Sequence, residues 1–119
     1  MKPKELVIYQ TDTAKEPFSS WLSDLDSTIR GRIRSRLDRI EQQGYYGDYK
    51  SVGDGVYELR FFFGSGYRVY FAEDGDTIVL LLSGGDKDSQ NKDIVQAKVY
   101  WKHYLKVKEE QVKEKEENP

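Results

Sequence analysis

The chain has 119 residues, no cysteine and a formal net charge of −2 at pH 7. That fits one domain able to bury its own core, and it excludes disulfides, a thiol nucleophile and a cysteine-held zinc site. No apolar run approaches the roughly 18 residues of a membrane span, the stretch in MKPKELVIYQ is too short for a signal peptide, and a near-neutral chain has no global field to draw in nucleic acid. The expected setting is therefore cytoplasmic and membrane-free, and any nucleic-acid contact has to come from local patches.

Residues 6–9 are short, apolar and β-prone, a first strand. Pro17 suits the first turn of a helix, and Phe18, Trp21, Leu22 and Leu25 follow at i, i+3, i+4 and i+7. Asp26 and Ser27 supply a fresh N-cap. Ile29, Ile33, Leu37 and Ile40 then form one stripe, and Gly44 stands in the usual C-terminal position. So short a break between two helices predicts an antiparallel hairpin.

Residues 44–55, with four glycines and three tyrosines, read as a loop. Three strands follow, at residues 56–63, 67–73 and 77–83. Gly64-Ser65-Gly66 and Asp74-Gly75 are their turns, and Asp-Gly is a strong hairpin signal. Residues 84–90 form a polar loop. From about Ser89 a last helix carries Ile94, Ala97, Trp101, Tyr104 and Leu105 on one face. The folded domain is expected over residues 1–105, with residues 106–119 a charged tail, frayed or disordered. The order β-α-α-β-β-β-α is that of an α+β domain, a helical hairpin lying on one face of an antiparallel meander.

In GVYELRFFFGSGYRVYF, side chains alternate between the two faces of a sheet. Placing Tyr57, Leu59, Phe61 and Phe63 with Tyr67, Val69 and Phe71 in the core pairs Phe63 with Tyr67 around a three-residue turn. Arg60 then faces Tyr70 and Arg68 faces Phe62, with Glu58 on the same side, and the two arginines become diagonal neighbours roughly 7–8 Å apart. Guanidinium forks bind phosphate oxygens and aromatic rings stack unpaired bases, so this face suits RNA. It also suits an ordinary surface on which Arg60 pairs with Glu58 or a tail carboxylate and merely covers the sheet.

Five arginines lie between residues 30 and 39. Arg32, Arg36 and Arg39 flank one side of the apolar stripe, and Arg30 and Arg34 the other. They read either as a solvated helix face or as a surface for ribosomal RNA or an acidic partner. In LLLSGGDKDSQNKDIVQA a buried strand runs through Gly84-Gly85 into a helix start, where backbone N–H groups can hold an anion. Lys87 stands at the mouth, and Asp86 and Asp88 either cap the helix or act as acid or base. The P-loop spacing is absent. His103 falls opposite the apolar face of its helix, and no Ser-His-Asp or HExxH set can be assembled.

These two stretches carry a resemblance. The chain is similar to the RelE/ParE toxin superfamily over about residues 5–105, and within it to the HigB-like addiction module killer branch. The likeness rests on Gly53-Asp54-Gly55, Glu58-Leu59-Arg60, Gly66-Tyr67-Arg68 and Gly84-Gly85-Asp86-Lys87. It implies a RelE-like fold and the toxin of a type II toxin–antitoxin pair, held silent by a small helix-turn-helix antitoxin. It further implies a ribosome-dependent, metal-independent endoribonuclease without cofactor that cuts mRNA and stops translation. On that reading Arg60 and Arg68 stabilise the transition state, Lys87 assists at the phosphate, and Glu58 or Asp86 is the base. Phe62, Tyr70, Arg30 and Arg34 contact RNA. The family's strand lysines fall here on Val56 and Glu58, and its tyrosine near the last helix on Asn91, Lys92 and Asp93. The same superfamily holds ParE toxins, which poison gyrase and cut no RNA.

Overall fold

The computed structural model describes residues 2–117. Its elements are β1 (Glu5–Ile8), α1 (Pro17–Ser23), α2 (Ser27–Gln43), β2 (Tyr49–Gly53), β3 (Val56–Arg60), β4 (Arg68–Asp74), β5 (Ile78–Gly85) and α3 (Gln90–Glu117). The five strands form one sheet in the order β1-β5-β4-β3-β2. β1 runs parallel to β5 and the other pairs are antiparallel. The fold is α+β, as expected, with one strand more than the sequence suggested: residues 44–55 hold β2 as well as loop. Among the described residues, no helix is long and apolar enough to cross a membrane.

Each sheet face has its own helical cover. On one side Phe18, Leu22, Ile33, Leu37 and Ile40 of the hairpin pack on Leu59, Phe61, Val69, Phe71, Val79 and Leu81. Pro17 opens α1, and Gly44 closes α2 in the left-handed conformation at φ 70°. Asp26 occupies the N-cap position of α2 but its side chain makes no capping bond. On the other side α3 lays Ala97, with Ile94, Tyr100, Trp101 and Tyr104, over Val56, Tyr70, Ala72, Leu80 and Leu82. Leu105, expected on that inner face, is 43% exposed, and Tyr100 packs there instead. Residues 106–117, expected as a frayed or disordered tail, continue α3 without a break; residues 118 and 119 lie outside the described part.

The β3–β4 register differs from expectation by two residues. Arg60 pairs with Arg68 and Glu58 with Tyr70, because the connection closes through Phe61 N–H to Tyr67 O and is longer than a three-residue turn. An even slip preserves faces, whereas an odd one would exchange them. The apolar set therefore stays on the hairpin side and both arginines stay on the α3 side.

Gly84 and Gly85 end β5 rather than open a loop. A Cβ on Gly84 would lie 2.1 Å from the Trp21 ring, and one on Gly85 would lie 1.8 Å from Asp93 Oδ2. The pair lets α1 press on one face and the start of α3 on the other, a close-approach role rather than an anion cradle.

Candidate functional site: a polar end of the sheet

α3 covers only part of its face. Where the helix begins, the sheet turns polar in two cross-strand rows. One row is Lys50, Glu58, Tyr70 and Ser83; the next is Arg60, Arg68 and Gly85, with Asp48 bonded to Arg60 through its carbonyl. Lys50 was missed at the sequence level because residues 44–55 were read as loop. The alternation Tyr49-Lys50-Ser51-Val52 before Asp54-Gly55 was the available signal for a hairpin strand.

Glu58 anchors the first row. It is fully buried, Gln90 Nε2 donates to both its oxygens at 3.2 and 3.1 Å, and Arg68 Nε and Lys50 Nζ lie 3.7 and 3.8 Å away. A carboxylate so enclosed has no access to a substrate proton. Its expected role as base therefore gives way to a positioning one, holding Arg68 and tying the first residue of α3 to β3. Tyr70 is also fully buried. Burial first, and then Glu58, pushes its phenol well above the ordinary value. It offers no face to a base, which corrects its assignment as a stacking ring.

In the second row Arg60 Nη2 donates to Asp48 Oδ1 at 2.8 Å, and its guanidinium lies 5.7 Å from the Phe62 ring centre. The hydrogen bond from Arg60 to Asp48 holds its pKa above the ordinary arginine value. Arg68 Nη1 donates to the carbonyls of Gly66 and Tyr67 at 3.0 and 3.3 Å, and 10% of its side chain remains exposed. Arg68 borders a hollow of about 460 Å³ that it shares with Phe62, Gly66, Lys87 and Asp88. Phe62 is 76% exposed and Lys87 is exposed. The hollow thus combines two cations, an open aromatic ring and a glycine-bearing loop.

Asp86 stands in the turn between β5 and α3. Its Oδ1 accepts the N–H groups of Asp88 and Ser89 at 2.9 and 3.1 Å, an Asx turn ahead of the helix, so proton transfer is not the role its geometry favours. Asp88, by contrast, borders the hollow. His103 is not a free surface residue: at the middle of α3, it bridges Tyr9 OH at 2.6 Å and Asp12 Oδ1 at 2.7 Å.

The α2 arginines lie on the other side of the sheet. Arg30 donates to the Ser23 and Leu25 carbonyls, and Arg34 borders a groove between α1, α2 and β1. Neither is brought to the hollow. Arg32 and Arg39 lie over Phe63 and Tyr45. Arg36 reaches the carbonyls of Tyr46, Asp48 and Arg60, and burial lowers its pKa. It fixes the chain just before β2 and the end of β3. Among the described residues, no three His, Cys, Asp or Glu side chains converge as a metal site would require.

A family model described as "Phage derived protein Gp49-like (DUF891)" matches residues 20–112. An uncharacterized protein of Haemophilus influenzae is 49% identical over 83 residues, covering 69% of this chain and 83% of that one. The free E. coli toxin RelE, in a form with two arginines replaced by alanine, superposes with a TM-score of 0.58 at 19% identity, over 82% of this chain and 96% of the other. The fold is therefore RelE-like.

Proposed function

The chain belongs to the phage-derived Gp49-like family, and from that premise we propose that it is the toxin of a type II toxin–antitoxin pair of the HigB-like branch, acting as a ribosome-dependent mRNA endoribonuclease. The observation that carries this reading is the shared hollow of Arg68, Lys87 and Phe62 at the polar end of the sheet. Phe62 stacks an unpaired base, and Arg68 takes a phosphate oxygen in its fork. Lys87, a mobile point charge, stands beside the same phosphate.

The RNA supplies its own nucleophile. Its 2′-oxygen bonds to the adjacent phosphorus, the 5′-oxygen leaves, and a 2′,3′-cyclic phosphate and a 5′-hydroxyl result. Asp88 is the accessible carboxylate at the hollow and takes the 2′-hydroxyl proton, while Lys87 gives one to the leaving oxygen. Charge on the five-coordinate phosphorus is met chiefly by Arg68, an electrostatic contribution that is commonly the largest single one in such sites. Glu58 and Gln90 hold Arg68 and the start of α3 in place. Arg60, with Lys50, forms the outer bank along which the RNA backbone exchanges for the carboxylate of Asp48. The partners on this reading are the ribosome, its mRNA and a small helix-turn-helix antitoxin, in the cytoplasm.

The test is expression of wild type and Arg68→Ala in a bacterium, with mapping of mRNA 5′ ends. Wild type is expected to cut mRNA and arrest growth, and Arg68→Ala to lower cutting by about 100-fold or more, as loss of one transition-state donor does. Unchanged cutting by the variant removes Arg68 from the mechanism. Inhibition of gyrase supercoiling without mRNA cuts moves the chain to the ParE-like alternative.

A further inference from the structure

Arg32, Arg34 and Arg39 are exposed on α2, whereas Arg36 is half-buried. Its guanidinium lies 4.6 Å from the centre of the Phe61 ring. Nε donates to the Tyr46 carbonyl at 2.9 Å, Nη2 to that of Asp48 and Nη1 to that of Arg60. One side chain thus ties together two chain segments, the approach to β2 and the end of β3. Gly47 leaves the room for it: a Cβ there would stand 3.1–3.3 Å from the Arg36 guanidinium, and its φ of 76° favours glycine.

Two of these carbonyls belong to the residues of the Asp48–Arg60 ion pair. Arg60 N–H donates to Asp48 O at 3.0 Å, and Arg60 Nη2 to Asp48 Oδ1 at 2.8 Å. Arg36, Asp48 and Arg60 therefore form a closed ring of hydrogen bonds. The ion pair itself hangs on a single side-chain bond. Arg60 Nε and Asp48 Oδ2 are buried and, among the described residues, without a hydrogen-bond partner. One bond between two rotatable side chains does not fix a guanidinium. The backbone beneath it does, and Arg36 pins that backbone.

We propose that Arg36 is a positioning residue that acts through Arg60, holding its guanidinium at the bank along which the RNA backbone passes. The consequence for RNA rests on the nuclease reading above; the tie between Arg36 and Arg60 does not. When an RNA phosphate replaces the Asp48 carboxylate at Arg60, the side-chain bond is lost and the two carbonyl bonds from Arg36 remain. Arg60 then meets the phosphate from a fixed backbone, and less ordering is left to the binding step. Arginine suits this place because its planar fork sends donors in several fixed directions, whereas the ammonium of lysine is a single point on a flexible stem. Arg36 itself touches no RNA, since its fork is turned into the chain. Its effect falls on binding, while the chemical step belongs to Arg68 and Lys87.

The test compares Arg36→Lys, Arg60→Ala and the double variant on mRNA-programmed ribosomes, each scored per folded molecule from urea unfolding. Arg60→Ala is expected to raise KM about 10-fold with kcat near wild type. Arg36→Lys is expected to raise KM several-fold, again with kcat unchanged. The double variant is expected to be no worse than Arg60→Ala, because a residue that acts through Arg60 then has nothing to act on. A second readout needs no catalysis: hydrogen exchange at Arg60 Nε–H, followed by proton–nitrogen correlation NMR. It is expected to be slow in wild type and about 10-fold faster in Arg36→Lys. An unchanged KM in Arg36→Lys, an effect that adds in full to that of Arg60→Ala, or an unmoved Arg60 exchange rate overturns the proposal. A wild type that cuts no mRNA removes the nuclease reading, and the Arg60 exchange rate then decides the tie by itself. Should Arg36→Lys not fold, Arg36→Gln, whose amide still donates to a carbonyl, is read in the same way.

Discussion

On the hairpin side of the sheet, Leu59, Phe61, Val69, Phe71, Val79 and Leu81 are apolar and buried under α1 and α2. On the α3 side the apolar rows stop where the helix starts, and Lys50, Glu58, Arg60 and Arg68 continue the pleat in charged residues. The two sides share the same strands and the same alternation, so the difference lies in what covers them. A face covered along its length spends its residues on packing. A face whose cover ends early can keep charged groups at its margin, where the fully buried Glu58 holds the nearly buried Arg68 and Lys50 stays half exposed.

Substitutions should separate these two sides. Phe71→Ala strikes the sealed side: the ring is fully buried and stacks on Tyr46 and Tyr57, so urea unfolding should show a loss of about 3–5 kcal/mol. Gly84→Ala and Gly85→Ala push Trp21 and Asp93 off the two faces in turn, each costing about 1–3 kcal/mol by overpacking. The contrast sharpens if Gly85→Ala also lowers mRNA cutting by moving the start of α3, while Gly84→Ala leaves cutting per folded molecule intact. Glu58→Gln removes the counter-charge of Arg68 but keeps its shape. Denaturant titration should show a loss of about 1–2 kcal/mol, accompanied by weaker cutting.

A smaller effect is expected at Asp74, where the hydrogen bond from Lys108 and then that from Tyr104 hold the carboxyl below its ordinary value of 3.8. A lowered folded-state pKa contributes stability that is present above the unfolded value and is lost as pH falls through the folded one. Melting temperatures measured from neutral pH down through the carboxylate range should therefore fall less steeply in Asp74→Asn than in wild type. Cutting at neutral pH should be unaffected, since Asp74 lies at the far end of β4.

Much of this architecture was legible in the sequence. The i, i+3, i+4 spacing of α1 and α2 and the strand alternation in GVYELRFFFGSGYRVYF fixed which side chains face the hairpin, and that assignment survived a two-residue register shift because an even slip preserves faces. β2 was not legible while Gly44, Gly47 and Gly53 were weighed as loop signals, and with it went Lys50 and Asp48, the partners that set Glu58 and Arg60. The buried states of Glu58 and Tyr70 were out of reach too. Alternation says which face a residue takes, and only the placement of Gln90 at the head of α3 says whether that face is open. The α2 arginines, on two flanks of the apolar stripe, read either as a solvated face or as a binding surface, and backbone carbonyls and aromatic rings hold Arg30, Arg32, Arg36 and Arg39 one by one.

Lys87 gives the sharpest measurement, because it borders the hollow yet is exposed and lies outside the core. Unfolding free energy and mRNA 5′-end maps should be obtained side by side for wild type and Lys87→Ala. The expected result is stability within about 0.5 kcal/mol of wild type together with cutting lowered roughly 10-fold or more. Undiminished cutting, or a loss of cutting matched by a loss of folded protein, would contradict the assignment of the polar end of the sheet as the site that holds RNA.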